Sequence, residues 1–311
     1  MTKAPGPENE NAKNIYILCV ELDRHYHLPC SVLANTNKSS HRTMSTIPQT
    51  AKPGNLWFTS DLKAFNITVE TQSARAFFSQ DLPDTCQNVD PEFLNINITA
   101  GREDVNNNTY ALLKYLELAS HLNLGQKSAI HGFTQALLCM LGFEERSFIQ
   151  RSHFDIPLHI CGDLGQRAPT NICLLHRSST YLLIVRGVSI EYNGEDLEAS
   201  IIAAAIAAFQ MNNFSRSQLG IERKDEMSIP CIVMVGTRPM FYVIPVTQQL
   251  SQAVETGEYP RDRTVVSKCV VIGQRRSMAE GMENIDLRVE AVKHFLFFRS
   301  LAKELWSEFL V

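Results

Sequence analysis

Three groups of residues in this chain have side chains able to do chemistry. Asp155, Asp163 and Glu191 are carboxylates close together in sequence. If their oxygens converged they would hold Mg²⁺, a hard cation that takes oxygen ligands in octahedral geometry. An even number of positions separates Asp155 from Asp163, so one unbroken strand would present both on one face. A strand ending near Cys161-Gly162 would instead leave them as separate, solvated strand-end carboxylates. Cys19, His25, His27 and Cys30 are the local cluster with zinc-type ligands, and zinc wants four such groups in a tetrahedron. Their spacing, C-x5-H-x-H-x2-C, fits no standard finger, which favours a packed, partly exposed segment. Lys268, Arg275 and Arg276, with Arg261 and Arg263, supply the cations that contact nucleic-acid phosphates, although Glu255, Glu258 and Asp262 dilute them. His153, His159 and His176 have no nucleophile at a recognisable spacing, and the chain has no G-x-S-x-G, P-loop or G-x-G-x-x-G.

The elements that would position these groups can be read from apolar pattern. Asn171–Leu175 and Tyr181–Val185 are strand-length apolar runs around the polar break His176–Thr180, so they predict a buried β-hairpin. The Ala/Ile-rich run Ile201–Phe209 predicts a helix with Asp196 as N-cap. It is too short to span a bilayer, which needs about 20 apolar residues. Upstream, Phe65–Thr71 predicts a strand and 81–106 a loop. Thr109–Leu122 and Lys127–Leu141 predict helices, the second closed by Gly142. Downstream, Arg151–Ile160 predicts a strand, and Pro230–Val235 with Met240–Val246 a second hairpin that turns over Gly236–Pro239. Gln248–Thr256 predicts a short helix, Thr264–Ile272 a strand, and Asp286–Leu310 a long aromatic-rich helix.

The order of these elements resembles the core of the PD-(D/E)XK nuclease-like superfamily. The wording is more closely similar to a group of uncharacterised proteins abundant in basidiomycete fungi that carry that core. The phrases are DIPLHICGD (155–163), NICLL (171–175), YLLIV (181–185), AIAAFQ (205–210), IPCIVMVGTRPMFYVIPVT (229–247) and AVETGEYP (253–260). The resemblance implies an α/β (α+β) fold, a mixed central sheet flanked by helices. It also implies a metal site in active members, where an Asp opens the first hairpin strand and E-x-K closes the second. Here those positions hold Asn171, Gly187 and Ser189. Side chains opposite each other on paired strands lie roughly 4.5–5.5 Å apart at Cβ, so Asn171 should sit beside residues 185–187. A neutral amide, an absent side chain and a hydroxyl replace two carboxylates and a lysine, and Arg186 adds positive charge.

Composition frames the rest. The chain has 311 residues, 44% of them hydrophobic and 20% charged, within the usual globular range. A net charge of −4 gives no strong electrostatic footprint for nucleic acid. Cys139, Cys173, Cys231 and Cys269 lie inside apolar runs, as buried free thiols do. With no apolar leader at the start, the expectation is an intracellular protein of the cytoplasm or nucleus, with no membrane span. The N-x-[S/T] matches at Asn66, Asn97, Asn107 and Asn213 then carry no meaning. Residues 1–55 are expected to be largely disordered or loosely docked, 56–125 helical and irregular, and 126–311 a nuclease-like core. The expected function is a catalytically inactive nuclease-like module that binds nucleic acid or a protein. One alternative is a divergent nuclease with migrated carboxylates and Mg²⁺ as its cofactor. Another is a structural partner-binding protein unrelated to nucleic acid.

Overall fold

The computed structural model describes residues 50–82, 86, 89–98, 105–121, 125–176, 180–189, 196–272, 280–307 and 310. Seven strands form one mixed sheet: β1 (Ile67–Gln72), β2 (Phe148–Ile160), β3 (Asp163–His176), β4 (Thr180–Val188), β5 (Glu226–Val235), β6 (Arg238–Thr247) and β7 (Thr264–Val270). Their order is β1-β7-β6-β5-β4-β3-β2. β1 runs parallel to β7, and β4 to β5. The other neighbours are antiparallel. The expected mixed α/β sheet flanked by helices is therefore present.

The helices are α1 (Thr59–Ala64), α2 (Ala74–Phe78), α3 (Pro91–Asn95), α4 (Asn107–Ser120), α5 (Gln126–Met140), α6 (Leu197–Gln218), α7 (Gln248–Thr256) and α8 (Ile285–Ser307). Two adjacent residues of β6 show how the layers lie, because successive side chains point to opposite faces. Tyr242 donates its hydroxyl to Glu198 at the start of α6, 3.2 Å away. Phe241 meets Phe295 and Phe298 of α8 on the other side, with ring centroids 5.0 and 4.9 Å apart. α6 covers one face and α8 the other, joined there by α5.

α6 follows from its sequence. The Asp196 carboxylate accepts the N–H of Ala199, capping the helix. Ile201 to Phe209 are all buried. Alanine on every side lets the backbone approach its neighbours closely. Gly54, in the short 3-10 turn Gly54–Leu56, takes part in this: a Cβ there would lie 3.0 Å from Ala168 and 3.1 Å from Ala203. Residues at the end of the expected loose segment are therefore packed, and Lys52 also pairs with Asp61 of α1 at 2.7 Å. β1, inside 56–125, joins the same sheet as the rest through β7.

Three local expectations need correction. The β5–β6 turn is only Gly236–Thr237, and Pro239 lies inside β6 opposite Met234. β7 pairs with β6 only from Met240 onward, so Pro239 has no neighbour on that side needing an N–H. The region 81–106 contains α3, opened by Asp90, whose carboxylate accepts the N–H of Glu92. Cys139 is exposed, because it falls on the outer side of α5, away from Ile130, Phe133 and Leu137. α8 buries Arg288 and His294 among its apolar residues, while Val289, Leu296, Leu301 and Leu305 are only half-buried.

Candidate functional site

Asn171, Gly187 and Ser189 lie where β3 leaves β4. The β3–β4 register ends at Ile172 opposite Val185, which places Asn171 next to 186 and 187 as expected. Strand alternation breaks at this point. Thr170 Oγ1 lies 3.0 Å from Cys173 Sγ, although side chains three apart in a regular strand face opposite ways. On the neighbouring strand, the pairing passes from Ser152–Ile172 to Phe154–Thr170, and His153 between them has φ +50°. The register is the same on either side of this point, so the change is a local re-aiming of side chains and not a bulge.

Here the re-aimed side chain is used for structure. Asn171 Oδ1 accepts the backbone N–H of Gly187 at 2.8 Å. The amide supplies an acceptor where the backbone ladder has ended. Arg186 is buried and donates from Nη1 to the Pro169 carbonyl at 2.6 Å. Both flanking side chains therefore fasten one strand to the other. Gly187 faces α5, and a Cβ there would lie 3.1 Å from Ile130 Cγ2. A glutamate at 187 would have to push into that apolar contact. Ser189 is half-buried just past the end of β4. These residues do not fit a divalent cation, for one oxygen is spoken for, one position has no side chain, and Arg186, held at the Pro169 carbonyl, adds positive charge nearby.

The carboxylates proposed as substitutes do not converge. Asp155 is exposed on β2 opposite Pro169. β2 ends at Ile160, and the turn Cys161-Gly162 sends the chain back so that Asp163 opens β3 opposite Ile160. Both turn residues have positive φ, 49° and 78°, as a type I′ hairpin turn requires. Asp155 lies five positions from Ile160, or about 16 Å along the strand. Asp163 instead organises its own turn. Its carboxylate accepts the Gln166 side chain and the Gly165 N–H, each at 2.7 Å, and these bonds hold its pKa below the ordinary value. Glu191 lies outside the described residues. Among the described residues, no group of three or more His, Cys, Asp or Glu could hold a metal ion.

Two members of the basic group, Lys268 and Arg263, are occupied. Lys268 on β7 pairs with Glu198 and lies over the Tyr242 ring, 5.6 Å from its centroid. Arg263 donates to Thr68 at 2.8 Å and pairs with Glu70 at 3.1 Å across the β1–β7 edge. Arg261 is exposed. Arg275 and Arg276 lie outside the described residues, as do Cys19, His25, His27 and Cys30. No protein-family model matches the chain, and no curated protein does.

Two polar clusters had no clear signal in sequence. Glu198 collects Lys268 and Tyr242 at the start of α6, and burial together with that carboxylate pushes the Tyr242 pKa upward. Arg288, fully buried, donates to the carbonyls of Met282, Phe93 and Ile96 at 2.7–2.8 Å. The acceptors are backbone groups nearly 200 positions away in two cases, so no spacing announces them.

Among the described residues, no helix is long and apolar enough to cross a membrane.

Proposed function

We propose that the chain carries a nuclease-like core of the PD-(D/E)XK type whose site has lost its chemistry and that acts as a binding or interaction module. The path α5-β2-β3-β4-α6-β5, with β4 parallel to β5 and α5 and α6 on opposite faces, supports the resemblance. The observation that carries the reading is the bond from Gly187 N–H to Asn171 Oδ1, set beside the close contact of Gly187 with Ile130. The place of the metal site is knitted shut. A divergent nuclease with migrated carboxylates is less well supported, because Asp155 and Asp163 lie at separate points of the β2–β3 hairpin.

Calorimetric titration with Mg²⁺ and Mn²⁺ tests this reading. The expected result is no saturable heat that depends on Asn171, Asp155 or Asp163. Saturable binding abolished by Asp163→Asn would replace the module with the divergent nuclease. Fluorescence anisotropy with labelled single- and double-stranded DNA and RNA then separates a nucleic-acid module from one that binds protein. A steep weakening with added salt would mark phosphate contacts.

A further inference from the structure

We propose that the paired imidazoles of His131 and His153 form an acid-sensitive latch between α5 and β2, released when His131 takes up a proton. The ring centroids are 4.4 Å apart with planes at 30°. His131 Nε2 lies 3.2 Å from Ser152 Oγ. His131 Nδ1 is sealed from solvent and has no hydrogen-bond partner among the described residues. A buried N–H without an acceptor is rarer and costlier than a buried lone pair without a donor. The neutral ring therefore carries its proton on Nε2 and donates it to Ser152. In that tautomer His131 cannot act as a base toward the Ser152 hydroxyl, so the pair is a contact and not a nucleophile with its base.

Protonation overturns each of these arrangements. It places an N–H at the sealed Nδ1 and a cation against a second imidazole. Burial first, and His153 second, push the His131 pKa below its ordinary value. The titratable group facing His131 from β2 is His153. On α5 itself Lys127 lies one turn earlier, and from α4 the Tyr115 ring lies against Gly132. None of these supplies a carboxylate to hold a charged ring. The β2 side of the latch is strained, since His153 has φ +50°, which non-glycine residues adopt rarely. His153 also occupies the skipped position between the Ser152–Ile172 and Phe154–Thr170 pairs, alongside Asn171. Release would loosen the strand end that Asn171 ties to Gly187. The latch does not depend on the functional reading above.

Amide hydrogen exchange of the full chain at about pH 7.5 and about pH 5.5, corrected for the intrinsic rate, reads this out locally. In the native protein, protection at 152–154 and 126–132 should fall roughly tenfold at the lower pH, while β5 and β6 keep theirs. In His131→Gln, which can still donate to Ser152 but cannot titrate, the local fall should vanish. His153→Asn, which tolerates the left-handed backbone but has no ring to pair, should lose protection at both values and decides the matter should His131→Gln fail to fold. Protection independent of pH in the native protein overturns the latch. So does a pH-dependent fall that persists in both variants. A fall spread evenly through β5 and β6 also overturns it, and would point to His294, whose pKa burial likewise lowers.

Discussion

At the scale of single residues, Asn171, Arg186 and Gly187 hold β3 to β4. Asn171 is tied to the Gly187 backbone, so its removal has a structural cost. Asn171→Ala leaves that N–H without its acceptor and should lower stability by about 1–2 kcal/mol in chemical denaturation. An unchanged midpoint would show that the bond is dispensable. Installing the nuclease motif as Asn171→Asp, Gly187→Glu and Ser189→Lys together should give no metal-dependent cleavage, because the glutamate meets Ile130 before it meets a cation. Arg288 is the converse case, a buried cation satisfied by backbone carbonyls. Arg288→Met strands at least three of those acceptors and should cost about 3–5 kcal/mol, seen as a large fall in melting temperature.

At the scale of elements, α6 is the piece that the sheet wraps. Ile206 is fully buried, so Ile206→Asp would leave an unpaired charge in the core or force its pKa far upward. Thermal unfolding should show loss of the native transition or aggregation, whereas Ser189→Ala should stay within about 0.5 kcal/mol of the parent. A normal melt for Ile206→Asp would mean that the helix is not where it has been placed. This helix, its cap and both hairpins were legible in the sequence, because apolar period and capping are local signals. The seven-strand order was not, because β1 reaches β7 across nearly the whole chain and no local pattern encodes a partner that distant. Pro239 was misplaced for a related reason, since its tolerance depends on where the neighbouring strand ends. The site was half legible. Residue types placed Asn171, Gly187 and Ser189 beside one another, but the bond from Asn171 to Gly187 depends on a break in strand alternation that the Thr170–Cys173 contact reveals and composition does not.

At the scale of the whole molecule, the sheet is sealed by thiols and phenols that resist ionisation. Burial pushes Cys173 up to about 12 and Cys269 up to about 11, and it raises Cys231 as well. An unfolded thiol releases its proton near about 8.5. Between those values the native state holds more protons than the unfolded state, so stability should fall as pH rises through that window. Thermal unfolding from about pH 8 to about pH 10.5 should show a steady decline. A flat profile would mean these thiols are not sealed in the fold.

Whether the proposed nuclease-like core is without chemistry is decided by a cleavage assay. Purified protein is incubated with labelled single- and double-stranded DNA and RNA in Mg²⁺ and, separately, in Mn²⁺. Intact substrate is expected in every lane, because Asn171, Arg186 and Gly187 are committed to holding β3 and β4 together. Cleavage that needs the metal and disappears in Asp163→Asn or Glu191→Gln would contradict it.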